Sequence, residues 1–256
     1  MLTINMNGFQ FAYERIGHVD KTPRLLIHGY PLDHTIWSSI VPLLENDFDL
    51  VLPDLRGFGG SSSPSIAYQL ADLVTDLVSL LDFLKIDKTV LVGHSMGGYL
   101  GLAFAHRYPA RLLGLGLIAS QAIADTPEKK TSRYLMADRV ESDGVGEVAE
   151  TMPALLTDAR ELQIILKSLI LLQRPEGVAG ALRAIADRSD SSDFLHTFDF
   201  PIAIIHGLRD RIIPIARARE ILTAVQHGSL LEIKDTGHMP MLESPQLTAQ
   251  ALSFLK

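Results

Sequence analysis

Three short stretches hold side chains whose types and spacing could break an acyl bond. The first is Gly93-His94-Ser95-Met96-Gly97-Gly98, a G-x-S-x-G pattern after the apolar run Val90-Leu91-Val92 and before an apolar helical pattern. A serine so placed sits at the tip of a sharp strand-to-helix turn, and glycines two residues away on either side avoid clashes there. The helix that follows points its amino end at the serine, where backbone N–H groups can meet developing negative charge. A serine hydroxyl is a poor nucleophile until a base takes its proton, and that base needs a third group to orient it. Ile204-Ile205-His206-Gly207-Leu208-Arg209-Asp210 puts a carboxylate just past one strand-like run, and Thr236-Gly237-His238-Met239-Pro240 puts an imidazole just past the next. In a parallel sheet the loops after the strands gather at one edge. Ser95, Asp210 and His238 are expected to meet there as nucleophile, orienting acid and base.

Other residues compete for these roles less well. His28 and His94 flank glycines and are expected to shape loops, while His206 is expected to pack beneath the site. His18, His34, His106, His196 and His227 lack the strand-end setting. Asp54 and Asp125 are alternative acids, but Asp54 stands close to Arg56 in a tight loop, which suits an ion pair or a turn-fixing role. The electrophilic half of the site needs two backbone donors. Met96, the residue after the nucleophile, supplies one N–H, and Tyr30, in the loop after His28-Gly29, supplies the other.

The elements that position these residues follow from periodicity. Leu2, Ile4 and Met6 alternate with polar residues, as do Phe9, Phe11 and Tyr13, and Asn7-Gly8 between them predicts a hairpin with a type I′ turn. Residues 24–28, 48–53, 90–93, 112–119, 201–206 and 229–233 read as further strands, mostly buried. Helices are expected over 35–45, 70–85, 96–108, 216–224 and 244–255. Alternating buried strands and amphipathic helices predict βαβ units and a mainly parallel sheet. From Gln121 to Ser192 no strand-like run occurs, and four helical patterns do. That stretch is expected to be an inserted helical cap, 121–192, on a core made of 1–120 and 193–256.

Bulk properties bound the reading. The 256 residues are 47% hydrophobic, enough for one large α/β domain without staples. The net charge of −7, with no clustered basic residues, argues against nucleic acid. With no cysteine, disulfides and thiolate chemistry are excluded, and a cytoplasmic location is the simplest expectation. No signal-peptide pattern opens the sequence, and no apolar run approaches a membrane span.

Taken together, His28-Gly29-Tyr30-Pro31, Asp54-Leu55-Arg56-Gly57-Phe58-Gly59-Gly60-Ser61, Gly93-His94-Ser95-Met96-Gly97-Gly98, Asp210 and Gly237-His238 resemble the α/β-hydrolase superfamily. Within it the chain resembles small carboxylesterases, 3-oxoadipate enol-lactonases and cofactor-free haloperoxidase or perhydrolase enzymes. The resemblance implies an eight-stranded, mainly parallel sheet flanked by helices, with a four-helix cap. It implies a serine hydrolase acting on a small ester or lactone through an acyl-enzyme on Ser95, with no metal and no organic cofactor. Relatives with an aspartate nucleophile, the haloalkane dehalogenases and epoxide hydrolases, are disfavoured by Ser95. Pro31 matches a proline associated with perhydrolysis in related esterases. Two other readings stay open: a carbon–carbon bond hydrolase of ring-cleavage products, kept by Arg133, Arg139, Arg160 and Arg183, and a ligand-sensing module on the same fold. Met136, Met152, Leu155, Leu156, Ile165, Leu166, Leu169 and Ile170 are expected to join the cap to the core, a few of them lining the pocket. The expected partner is a small-molecule substrate, with no nucleic acid and no membrane; association into a homo-oligomer stays open.

Overall fold

In the computed structural model, which describes residues 1–63 and 67–255, eight strands form one sheet. The hairpin comes first: β1 (Leu2–Met6) and β2 (Phe9–Gly17) pair antiparallel with Met6 opposite Phe9. Asn7 and Gly8 take φ of +52° and +83°, the backbone a type I′ turn requires. β3 (Pro23–Ile27), β4 (Asp49–Asp54), β5 (Thr89–His94), β6 (Leu112–Ile118), β7 (Ile202–Gly207) and β8 (Gly228–Ile233) complete the sheet in the order β1-β2-β4-β3-β5-β6-β7-β8. All pairings from β4 to β8 are parallel. The chain runs outward from β3 to β4, then crosses back to place β5 on the other side of β3. The loops after β3 and β5 therefore diverge at a switch point, the crevice where ligands bind in open parallel sheets. Tyr30 stands in the first of those loops and Ser95 in the second.

The expected helix over 35–45 is in fact two pieces. A 3₁₀ turn covers His34–Trp37 and a one-turn helix, α1, covers Val41–Leu44. Pro42 has no N–H to bond back to Ser38, so it starts a new helix rather than extending one. Trp37 is fully buried, as packing near this loop requires. α2 (Leu70–Phe83) stops before its expected end because Lys85 takes a positive φ of +57°. α3 (Met96–Arg107) leaves the serine turn and packs on β5 and β6.

Four helices lie between β6 and β7: α4 (Pro127–Asp143), α5 (Gly146–Leu156), α6 (Arg160–Leu171) and α7 (Pro175–Ala186). α4 packs on α7 and α5 on α6. Leu156, Leu166 and Ile170 are buried, but Ile165, expected in the same apolar set, is 58% exposed. α8 (Ile215–Ala224) follows β7, and a one-turn helix α9 (Pro240–Glu243) precedes the last helix, α10 (Pro245–Ser253). No helix among the described residues is long and apolar enough to cross a membrane.

Polar locks tie the helical layer to the sheet. Buried Gln173, between α6 and α7, donates to Asp33 Oδ2 at 3.1 Å and accepts from Gly59 N–H at 3.0 Å. The Leu156 carbonyl, at the end of α5, accepts from His238 N–H at 2.8 Å. Gly177 of α7 lies so close to Gly57 that a Cβ there would come within 2.1 Å of the Gly57 carbonyl oxygen. Gly177→Ala must push α7 off that loop, and overpacking of this kind costs about 1–3 kcal/mol. The expected result is a lowered Tm, read by thermal unfolding; an unchanged Tm would show that the contact yields freely.

Candidate active site

The serine turn is built by close approach. A Cβ on Gly93 would lie 2.1 Å from the Gly97 carbonyl oxygen, and one on Gly97 would lie 2.3 Å from that of Ile27. Between them Ser95 takes φ +51° and ψ −110°, a conformation that side-chain-bearing residues rarely adopt and that costs energy. Its backbone is pinned on both sides: Ser95 N–H donates to Ile118 at 2.8 Å, and the Ser120 hydroxyl donates to the Ser95 carbonyl at 3.0 Å. The Ser95 side chain has no hydrogen-bond partner among the described residues. Met96 opens α3, so its N–H has no intrahelical acceptor. Tyr30 N–H likewise has no acceptor among the described residues.

Asp210 and His238 meet at the same edge, both almost fully buried. His238 Nδ1–H donates to Asp210 Oδ2 at 2.7 Å, which leaves Nε2 as the basic nitrogen. Asp210 Oδ1 accepts from the backbone N–H groups of Ile212 at 2.8 Å and Ile213 at 3.0 Å. Burial alone would raise its pKa, but the His238 imidazole, its hydrogen bond and the backbone donor together hold it below the ordinary carboxylate value. Asp210 thus stays ionised.

Two further histidines surround this pair. His206, expected beneath the site, is fully buried with Nε2 2.8 Å from the Ile213 carbonyl and 3.3 Å from Asp210 Oδ2. The carbonyl fixes its tautomer as Nε2–H, so it presents a donor to the acid. His94, in the serine turn, donates Nε2–H to the His238 carbonyl at 2.9 Å and sets its ring edge against that of His238. Burial, with the nearby His238, pushes its pKa down to about 3, so it is a neutral prop.

The competing acids are engaged elsewhere. Asp54 does fix the turn, accepting from Gly60 N–H at 2.8 Å and His34 N–H at 2.9 Å. Its ionic partner, however, is His34 at 2.7 Å and not Arg56; Arg56 reaches buried Asp76 bidentately at 2.6 and 2.7 Å. Asp33, His34 and Asp54 bring ligand atoms within 4.8 Å of one another, but these already hold Thr35, Gln173 and each other. Asp125 is shared by Arg133 and Arg188.

A cavity of about 320 Å³ lies between α4, α5, Tyr99 of α3 and Ile212–Ile213. Tyr30 forms part of its wall, with Met136, Met152 and Leu155. Ser95 and His238 are not in that wall. Of the four arginines that bore on a polar pocket, Arg133 alone lines it; Arg139 is paired with Glu147, and Arg183 with Asp138 and Glu141.

Residues 23–245 match the family defined by the alpha/beta hydrolase fold, and the chain belongs to that family. Its relatives include hydrolases of esters and lactones. The chain superimposes on a malate-bound thermophilic esterase from Thermogutta terrifontis with a TM-score of 0.93 and 35% identity, covering 98% of this chain and 94% of that one. It is 32% identical to the dihydrolipoyllysine-residue acetyltransferase component of the acetoin cleaving system of Pseudomonas putida, over 98% of this chain and 68% of that protein. It is 24% identical to 3-oxoadipate enol-lactonase 2 of Acinetobacter baylyi, over 95% of this chain and 92% of that one.

Proposed function

We propose that the chain is a serine hydrolase of small carboxylic esters or lactones. The observation that carries this reading is the buried 2.7 Å bond between His238 and Asp210, at the strand ends beside a serine held at positive φ. Ser95 Oγ attacks the carbonyl carbon while His238 Nε2 takes its proton, and Asp210 stabilises the imidazolium. Tyr30 and Met96 N–H groups receive the oxyanion, each such donor being worth about 3 kcal/mol. The intermediate collapses, His238 returns the proton to the departing alkoxide, and an acyl-enzyme remains. Water, deprotonated by His238, then attacks the acyl carbon and releases the acid and Ser95. In a lactone the departing oxygen stays tethered to the acyl chain. The esterase at 35% identity and the enol-lactonase relative support these two substrate types. We assign the substrate-selecting role to residues 121–192, as a cap over a core of 1–120 and 193–256.

A fluorophosphonate probe tests the reading. Treatment should stop turnover of p-nitrophenyl acetate and add one mass increment to the tryptic peptide that carries Ser95. A label on any other residue, or full activity in the labelled protein, would overturn it.

A further inference from the structure

Helix α6 carries an apolar stripe on its outward side. Leu166 and Ile170 are buried, yet Ile164 is 61% exposed, Ile165 58%, Leu171 52% and Leu172 78%. Ser168, between them, is exposed as well. Leu172 stands just past α6 but keeps helical backbone, so it belongs to the same stripe. At 3.6 residues per turn the five positions fall within roughly a third of the helix circumference. Single exposed aliphatics are ordinary, but four on one stripe mark a contact surface. None of the five lines the cavity between α4 and α5, so a substrate held there does not cover them.

The stripe is symmetric about its centre. Ile164, Ser168 and Leu172 form an i, i+4 ridge, and Ile165, Ser168 and Leu171 form an i, i+3 ridge. The two ridges cross at Ser168, so a small side chain marks the point where a second helix can approach closely, with aliphatics around it. A two-fold axis through Ser168 sets Ile164 against the partner's Leu172 and Ile165 against the partner's Leu171. Such self-complementarity is what an isologous contact requires. Charges at the two ends match in the same register. Arg160 and Glu161 open α6, and Arg174 and Glu176 follow its end. None of the four has an ion-pair partner among the described residues. Antiparallel pairing brings Glu161 toward the partner's Arg174 and Arg160 toward the partner's Glu176. It also opposes the two helix dipoles. A parallel pair would set Arg160 against the partner's Arg160.

We infer that the chain associates with a second copy of itself through antiparallel α6 helices centred on Ser168. A lipid surface is the other cover for an exposed apolar helix, but helices that lie in that interface are rich in Lys and Arg. α6 has one of each beside Glu161, and the chain's net charge is −7. The 12 residues of α6 make a helix about 18 Å long. A helix pair that short buries less than the about 800 Å² per partner of a standard interface, so the dimer should form in the micromolar range. The inference does not rest on the serine-hydrolase reading.

Sedimentation equilibrium over about 1–200 μM chain tests it. The wild type should pass from monomer to dimer across that range. Ser168→Arg sets two like charges on the axis and should weaken the dimer at least tenfold. Ile164→Glu and Leu172→Lys should each weaken it at least threefold. Combined, they place an acid opposite a base across the axis, so the double variant should dimerise at least threefold more tightly than the product of the two losses predicts. All three positions are exposed, so circular dichroism of every variant should match the wild type. The chain has no cysteine, which allows a second readout. Mild oxidation should crosslink Ser168→Cys to its own copy faster than Ser142→Cys, an exposed position near the end of α4. A wild-type chain that stays monomeric at the highest concentration, a dimer that persists in Ser168→Arg, or equal crosslinking at the two positions would overturn the inference. Losses that simply multiply in the double variant would overturn the antiparallel register. A monomer that floats with phosphatidylcholine vesicles, and no longer does so as Ser168→Arg, would also overturn it by giving the stripe to a lipid surface.

Discussion

Ser95→Ala is expected to lower kcat for p-nitrophenyl butyrate by about ten thousand- to a million-fold, and His238→Ala by a similar factor. The double variant should be no worse than either single one. The reason is that nucleophile and base act as a unit. Without the imidazole, the Ser95 hydroxyl keeps its proton; without the hydroxyl, the imidazole has nothing to activate but water. The 2.7 Å contact to Asp210 holds the His238 tautomer and stabilises its imidazolium, but it supplies neither a nucleophile nor a base, so it cannot rescue either loss. The residual rate should still exceed that in buffer, because the Tyr30 and Met96 N–H groups are backbone donors that neither substitution removes. In the unliganded site the Ser95 hydroxyl has no partner among the described residues, as is common before substrate tightens the geometry. Steady-state kinetics on the two single variants and the double variant check this. Retention of activity within tenfold in Ser95→Ala, or multiplicative losses in the double variant, would mean that the two side chains do not act together.

How much of this was readable in advance depends on what kind of contact each feature needs. The hairpin at Asn7-Gly8 and the serine turn at Gly93 to Gly97 are local: the residues that demand the backbone shape are the residues that adopt it. The mainly parallel pairing follows from the alternation of buried strands and helices, but those local patterns do not say which strand lies beside which, so the order β1-β2-β4-β3-β5-β6-β7-β8 had to come from the structure. Partner choice between elements was not readable in this way. Asp54 lies two residues from Arg56, but β4 ends with its carboxylate directed to His34, and Arg56 turns to Asp76 on α2. Both pairs are twenty residues apart, and spacing carries no signal for which acid meets which base. The approach of His206 to Asp210 is of the same kind, although His206-Gly207-x-x-Asp210 could have been read as two side chains brought back together by a turn. The expected helix over 35–45 ran through Pro42, although a proline without an N–H interrupts a ladder wherever it falls. In α6 the helical period was clear, but which apolar residues faced inward was not: Leu166 and Ile170 are buried while Ile165 faces out.

The buried histidines make the fold acid-sensitive well before its carboxylates titrate. His28, His94 and His206 are all fully buried, and burial lowers the pKa of each. His28 Nε2 accepts from Leu55 N–H at 2.9 Å, so a proton on it would set donor against donor. His94 Nδ1 and His206 Nδ1 are buried with no partner, so a proton there would place an uncompensated charge in the core. In the unfolded chain all three take a proton near the ordinary histidine value of about 6.5. The unfolded state therefore binds protons first as the pH falls. The contribution of these three is complete above about 6.5 and declines below it, at up to about 1.4 kcal/mol per pH unit for each histidine. His34 adds no slope below about 6.5 and an opposite one above it. Burial would lower its pKa, but its hydrogen bond and charge contact with Asp54 raise it overall, so its contribution is complete in acid and is lost only as pH rises. Asp54, Asp125 and Asp210 have lowered values and begin to matter only near the unfolded carboxylate value of about 4. Three histidines together set an upper slope of about 4 kcal/mol per pH unit, which would consume a typical total stability of about 5–15 kcal/mol within roughly one to four units. Urea unfolding between pH 7.5 and 5 should show this slope, and its size counts the protons taken up. His28→Gln keeps an acceptor and a donor without a titrating group, so about a third of the slope should disappear. A flat profile between pH 7 and 5 in the wild-type chain would show that the buried rings take up their protons without unfolding.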